Sequence, residues 1–254
     1  GSAGWGDVCT IAPWNMYLIY GDQRLLERQY NSMEKWVAWI TSLAPDGLWK
    51  GSSHFGDWLF YQAQISSPSE KSGYTDPDYI ATAFYANSVD ILRKTAQVLG
   101  KKTDEAKYVA LFDKIKKAFN HEYVAASGRT ISDSQTSYVL GLNFNLFEEK
   151  TRAAATAQLV RDIKSRGNHL STGFLGTPYL CHVLSDNGHT EVAYNLLFQE
   201  SYPSWLYPVK MGATTIWERW DGIKSDSTFQ DAGMNSFNHY AYGAIGDWMY
   251  RVTA

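Results

Sequence analysis

The sequence predicts an all-α fold, an α/α toroid built of stacked helical hairpins with its first helical element absent. Three observations predict it. Apolar residues recur at helical spacing from end to end, and no alternating run of strand type extends far. Short polar breaks alternate with longer loops rich in Gly and Trp, at a spacing of roughly 40 residues that repeats without a strict sequence motif. A chain of 254 residues that is 44% hydrophobic and 19% charged is long and apolar enough to bury a large core without disulfides or metals.

The elements follow in order. Asp7 stands where it would cap a helix running through Trp14 and Tyr17. After Gly21, Asp22 caps a second helix whose Leu26, Met33, Val37 and Ile40 form one apolar stripe, and Pro45-Asp46-Gly47 stops it. A long aromatic loop comes next. Thr75-Asp76-Pro77-Asp78 reads as a helix start with Thr75 as cap and Asp78 as its acidic reply, and Ile80, Phe84, Asn87 and Ile91 carry the pattern toward Gly100. Thr103 starts another helix, in which Tyr108, Phe112, Ile115 and Phe119 face one way while Lys114, Lys116 and Lys117 form a solvated face. Further helices are expected at 133–143, 147–166, 174–186 and 188–199, broken at Asn145, Gly167-Asn168 and Asn187-Gly188. The last spans 235–250, with His239 near its start.

Charge and composition exclude several function classes. The 23 basic and 26 acidic residues give a net charge of −3, and no basic run is present that could track a phosphate backbone, so nucleic acid is not an expected partner. No apolar stretch approaches the roughly 20 residues of a membrane span, and Gly1-Ser2-Ala3-Gly4 has neither the basic nor the apolar region of a signal peptide. A soluble chain is expected, with residues 1–3 a cloning remnant and residues 4–254 a single α/α-toroid domain. Cys9 and Cys181 are too few for a disulfide framework and read as buried thiols. The six histidines include no pair at metal-ligand spacing, and no Gly-x-Ser-x-Gly elbow, phosphate loop or dinucleotide fingerprint occurs. Neither a metal nor a cofactor is expected.

The distinctive feature is the aromatic content, 10 Trp, 17 Tyr and 11 Phe. Such an excess fills a core or lines a groove, and indoles stack on the flat faces of sugars. Three clusters set an indole beside a carboxylate: Gly4-Trp5-Gly6-Asp7, Phe55-Gly56-Asp57-Trp58, and Thr214-Thr215-Ile216-Trp217-Glu218-Arg219-Trp220-Asp221-Gly222. Carboxylates grip sugar hydroxyls and move protons, and a glycosidase needs two of them. Plain structural roles compete in each case. Asp7 serves equally well as a helix cap, Asp57 as a cap or turn residue, and Glu218 as the ion partner of Arg219. His239, among polar residues, is placed to give a hydrogen bond to a ligand.

These clusters, with Thr172-Gly173-Phe174-Leu175-Gly176-Thr177 and Asn238-His239-Tyr240-Ala241-Tyr242-Gly243, resemble in order and spacing the catalytic barrel of the α-L-rhamnosidases of glycoside hydrolase family 78. The similarity covers nearly the whole chain, and the run from Gly212 to Asp221 with His239 downstream is its specific part. The resemblance implies an α/α toroid of six hairpins, inverting hydrolysis of terminal α-L-rhamnosyl groups and no catalytic metal. Glu218 matches the general base and Asp7 a carboxylate that holds sugar hydroxyls. Trp5, Trp58 and His239 match residues lining the rhamnose pocket; Asp57, Trp217 and Trp220 are further substrate contacts, and Trp205 another wall candidate. The family's general acid lies several residues before the Gly-Trp motif, so it is expected upstream of this chain, as are the accessory β-domains that flank the barrel. Two other readings stand beside this one: a non-catalytic rhamnose-binding module or inactive remnant of the same fold, and a toroid enzyme acting on another sugar, such as a trehalase-like or unsaturated-uronide hydrolase.

Overall fold

Helices supply nearly all the regular structure, as the periodicity predicts. The computed structural model describes residues 1–62 and 71–254; the rest of the long loop before Thr75 lies outside the described residues. Among the described residues the only β-pairing is an isolated bridge between Ile223 and Phe229. The chain divides into two compact units, each assembled from several stretches: Gly1–Gly56, Asp76–Ala126 and Phe144–Glu148 form the first, and Asp57–Thr75, Ser127–Asn143 and Glu149–Ala254 the second.

The first unit holds α1 (Val8–Tyr20), α2 (Gln23–Leu43), α3 (Pro77–Val98) and α4 (Lys102–Tyr123). Gly21, at φ 68°, turns α1 into α2, and its N–H closes the helix end on the Tyr17 carbonyl. Asp22 caps α2 by accepting from the Arg24 N–H, and the expected stripe of Leu26, Met33, Val37 and Ile40 is buried, with Tyr30 completing it. Burying each of these aliphatic side chains contributes about 1.5–3 kcal/mol. Helix α3 is buried on nearly every side from Tyr79 to Ala86 and packs against α1, α2 and α4, which is why its apolar pattern is broader than one stripe. Its cap is Asp76 and not Thr75: Pro77 occupies the first turn, and the Asp76 carboxylate accepts from the N–H groups of Asp78 and Tyr79. Helix α4 likewise starts one residue before the expected Thr103, at Lys102, with no side-chain cap; Tyr108, Ile115, Phe119 and Tyr123 are its buried face.

The second unit holds α5 (Gln135–Asn143), α6 (Glu149–Ser165), α7 (Thr177–Asp186), α8 (Thr190–Leu197), α9 (Leu206–Lys210), a 3₁₀ turn at Ala241–Ala244 and α10 (Ile245–Thr253). Helix α5 is buried almost throughout and lies against α6 and α7, while α7 also meets α8, the 3₁₀ turn and α10. Asn145 and Asn168 break the chain in the left-handed region, as their positions predict.

Two helices, α7 and the last, start three or more residues later than expected. Residues 174–176 and 235–240 are not helical, and in both stretches backbone donors are taken by groups far away in sequence. The Asp57 carboxylate accepts from Leu175 and Gly176, and the Phe174 N–H goes to the Trp58 carbonyl. The Ser236 N–H goes to Glu218 and the His239 N–H to the Ile216 carbonyl. An N–H used in this way cannot close a helical i to i−4 bond. His239 therefore sits in a loop, ahead of the 3₁₀ turn. The thiols differ too: Cys181 is buried but Cys9 only half so. Burial pushes them up to about 12 and about 11, and the nearby Asp7 charge adds to the rise at Cys9.

Candidate active site

In the first unit, Gly4-Trp5-Gly6-Asp7 forms a tight turn held by its own carboxylate. Asp7 Oδ2 accepts from the Gly4 N–H at 2.8 Å, and Oδ1 accepts from Trp36 Nε1 at 2.9 Å and Ser88 Oγ at 2.6 Å. Gly6 is required there, since a Cβ would lie 2.3 Å from the Trp36 ring. Asp7 occupies the N-cap position of α1 without capping it, and it is wholly buried. Burial outweighs the bonds from Ser88, Trp36 and Gly4 and holds its carboxyl above the usual range. The Asp7 carboxylate thus anchors the turn through Gly4, Trp36 and Ser88. What the anchor presents is Trp5, 37% exposed, its ring edge-on to Phe55 at 4.9 Å.

In the second unit, Asp57 is a second such anchor. Its Oδ1 accepts from the N–H groups of Leu175 (2.7 Å) and Gly176 (3.1 Å), and its Oδ2 from the Gly173 N–H (2.7 Å) and the Thr136 hydroxyl. All four acceptor positions are filled, and the residue is 2% exposed. Asp57 is the centre around which residues 173–176 fold, with its carboxyl held above the usual range by burial. Gly173 is needed in this close packing, because a Cβ would fall 2.3 Å from the Trp58 carbonyl oxygen. Phe174, from the same loop, lies against the His239 ring with centroids 5.0 Å apart and meets Tyr242 edge-on at 5.4 Å. Trp58 itself is half-buried.

Glu218 sits in a clip between two loop segments. Its N–H donates to the Ser236 carbonyl at 2.8 Å, and its Oε2 accepts from the Ser236 N–H at 2.9 Å. The Thr215 hydroxyl bonds the Phe237 carbonyl, and the His239 N–H bonds the Ile216 carbonyl at 2.9 Å. Arg219 is not its ion partner: the guanidinium pairs with Asp221, at 3.5 Å. Among the described residues nothing bonds Glu218 Oε1, and the side chain is half-buried. His239 Nδ1 accepts from the Ala241 N–H at 3.2 Å, so a neutral ring carries its proton on Nε2 and presents a donor there.

Three of the expected wall indoles, Trp205, Trp217 and Trp220, are buried. Trp217 is 4% exposed and packs edge-on against Phe237 at 5.3 Å. Trp220, also 4% exposed, stacks on Tyr242 at 3.8 Å and donates to the Thr172 carbonyl, while Trp205 donates to the Tyr242 carbonyl. Much of the aromatic excess thus fills the interior. Trp220 does keep an edge in a cavity of about 430 Å³, walled also by Tyr61, Tyr202, Tyr207, Arg219 and Asp221. That cavity was not visible in the sequence, where the tyrosines are scattered and Arg219 reads only as a neighbour of Glu218. No group of three or more His, Cys, Asp or Glu residues able to hold a metal ion occurs among the described residues.

Comparison with known proteins places this geometry. The family model described as the bacterial alpha-L-rhamnosidase six-hairpin glycosidase domain matches residues 1–253. An alpha-L-rhamnosidase of Streptomyces avermitilis is 47% identical over 250 residues, covering 98% of this chain and 23% of the relative. Another, of Formosa agariphila, is 46% identical over 254 residues, covering 99% of this chain and 27% of its own length. The crystal structure of a Streptomyces avermitilis alpha-L-rhamnosidase complexed with L-rhamnose superimposes with a TM-score of 0.92 at 46% identity, over 98% of this chain and 23% of that one. The chain spans about a quarter of the length of these relatives. The all-helical fold expected from the sequence is accordingly an α/α toroid of the six-hairpin type.

Proposed function

Because the chain belongs to the bacterial alpha-L-rhamnosidase six-hairpin glycosidase family, we propose that it is a catalytic domain hydrolysing terminal α-L-rhamnosyl groups with inversion, Glu218 acting as general base. The observation that carries this reading is the state of the Glu218 carboxylate. One oxygen is fixed by the Ser236 N–H and the other has no partner among the described residues. A carboxylate so held is oriented and still able to accept a proton from water. As that water attacks the anomeric carbon from the face opposite the leaving oxygen, its proton passes to Glu218 and its oxygen becomes the new hydroxyl. The leaving oxygen takes a proton from a general acid, and the first product is β-L-rhamnose. Neither Asp7 nor Asp57 is assigned as that acid, because each has its oxygens engaged by protein donors.

Recognition follows from the exposed groups. Rhamnose carries a methyl at C6 where ordinary hexoses carry a hydroxyl, so an apolar wall favours it. Trp58, half-buried in the second unit that also holds Glu218 and His239, keeps indole surface for such a wall. His239 offers its Nε2–H to a ring hydroxyl.

The test is hydrolysis of an aryl α-L-rhamnoside, whose leaving group needs little protonation, followed by anomer-resolved NMR for the native sequence and for Glu218→Gln. The β anomer appearing first, with turnover lost and L-rhamnose binding kept in the variant, is the expected result. The α anomer appearing first, or equal turnover by the variant, overturns the assignment. Silence with intact rhamnose binding supports the non-catalytic module instead.

A further inference from the structure

The cavity in the second unit contains a charge without sufficient partners. The Arg219 side chain is only 17% exposed, yet it makes no hydrogen bond among the described residues, and its Nε is buried and unsatisfied. Its one ion partner among the described residues, Asp221, stands 3.5 Å away, at the long end of such contacts. A guanidinium has five donors, and leaving them unmade in a largely buried place costs free energy. Lys224 lines the same cavity and has no ion pair among the described residues. The other carboxylate there, Asp226, is exposed and engaged by the N–H and hydroxyl of Thr228, at 3.0 and 2.6 Å, though it remains within Coulombic reach of Lys224. Two cations thus face one uncommitted carboxylate.

The walls are aromatic. Tyr61 and Tyr202 lie 5.8 Å apart between ring centroids, Tyr202 and Tyr207 5.6 Å, and the Tyr207 hydroxyl is tied back to the Ile223 carbonyl. The volume of about 430 Å³ lies in the range of small-ligand sites and admits a pyranose ring. Flat rings beside a planar, donor-only fork match a sugar that carries a carboxylate, since guanidinium and carboxylate pair through two parallel bonds.

We propose that this cavity is a binding site for an acidic sugar, in which Arg219, assisted by Lys224, binds the carboxylate of a uronic acid while Tyr61, Tyr202 and Tyr207 pack on its ring. The ligand class is then a uronide.

Calorimetric titration with methyl β-D-glucuronide and methyl β-D-glucoside tests this, since the two probes differ only at C6 and need no turnover. The glucuronide is expected to bind at least about tenfold tighter, one strong carboxylate pairing being sufficient for that. Arg219→Gln should bring the ratio to about one, and Lys224→Gln should reduce it severalfold. Equal affinities in the native sequence overturn the uronide site, as does a preference that survives Arg219→Gln. If Arg219→Gln does not fold, Lys224→Gln decides, an unchanged ratio overturning the proposal. A parallel titration with L-rhamnose separates the two readings. Rhamnose binding without glucuronide preference overturns the uronide site alone, and glucuronide preference without rhamnose binding overturns the rhamnosidase reading alone.

Discussion

Replacing Asp57 by Asn keeps the shape of a side chain that is 2% exposed and changes only what it accepts. However the amide is turned, its nitrogen must face two of the present donors. Facing Leu175 and Gly176 would orphan two N–H groups. Facing Gly173 and Thr136 orphans one, because the Thr136 hydroxyl can rotate and accept. A buried unsatisfied N–H costs about 1–3 kcal/mol, and the two bonds that remain lose their ionic strengthening. Relief from burying a charge offsets part of this, as the raised carboxyl pKa indicates. The expected loss is about 2 kcal/mol, which at about 2–4 °C per kcal/mol lowers the Tm by about 4–8 °C. Residues 173–176 would also loosen, and with them the Phe174 ring that lies on His239. KM for an aryl rhamnoside should therefore rise more than kcat falls. Scanning calorimetry and steady-state kinetics on the same preparation measure both effects. A variant that melts within about 1 °C of the native protein and keeps its KM would refute the view of Asp57 as the centre of this loop.

Two further outcomes are expected. Trp58→Ala should weaken rhamnoside binding by about 0.5–3 kcal/mol through lost stacking, and an unchanged KM and affinity would place Trp58 away from the sugar. Asp22 is held at about 2, below its ordinary 3.8, mainly by the Arg24 side chain and then by the Arg24 N–H it caps. A depressed carboxyl stabilises the fold above its unfolded pKa and stops doing so as pH falls through the folded one. The Tm difference between native protein and Asp22→Ala should thus be constant near neutrality and shrink between pH 3.8 and about 2; a gap that stays the same in acid would contradict the linkage.

Local order was legible where neighbours in sequence decide it. Helix α2 is the clear case: its cap, its stripe and its stop all lie within the segment, and each appears where the pattern places it. What the pattern could not show is a backbone donor claimed from a distance. Nothing within 174–176 or 235–240 announces that Asp57 or Glu218 will take its N–H groups, so both stretches read as helix. The same blindness affects carboxylates. Asp7, Asp57 and Glu218 each stand beside an indole in sequence, but the first two are closed in by donors from Ser88, Trp36 and Thr136, and only Glu218 keeps an oxygen open. Burial likewise separates Trp5 and Trp58 from Trp217, which no spacing distinguishes.

The interleaving of the two units bears on how the chain can be made. Neither unit is a continuous stretch, so neither can be cut out as a fragment with all its parts. During synthesis the first unit has its last piece only when Glu148 has emerged, and the second must wait for its final residues. Asp57 is translated 119 residues before Gly176, one of the donors that will enclose it. Until then its carboxylate is an ordinary solvated acid, and the apolar face of α5 has no α7 to cover it. A chain ordered in this way is most exposed to aggregation while half made, and slowing translation between residues 57 and 176 should lower the yield of folded protein more than slowing it later.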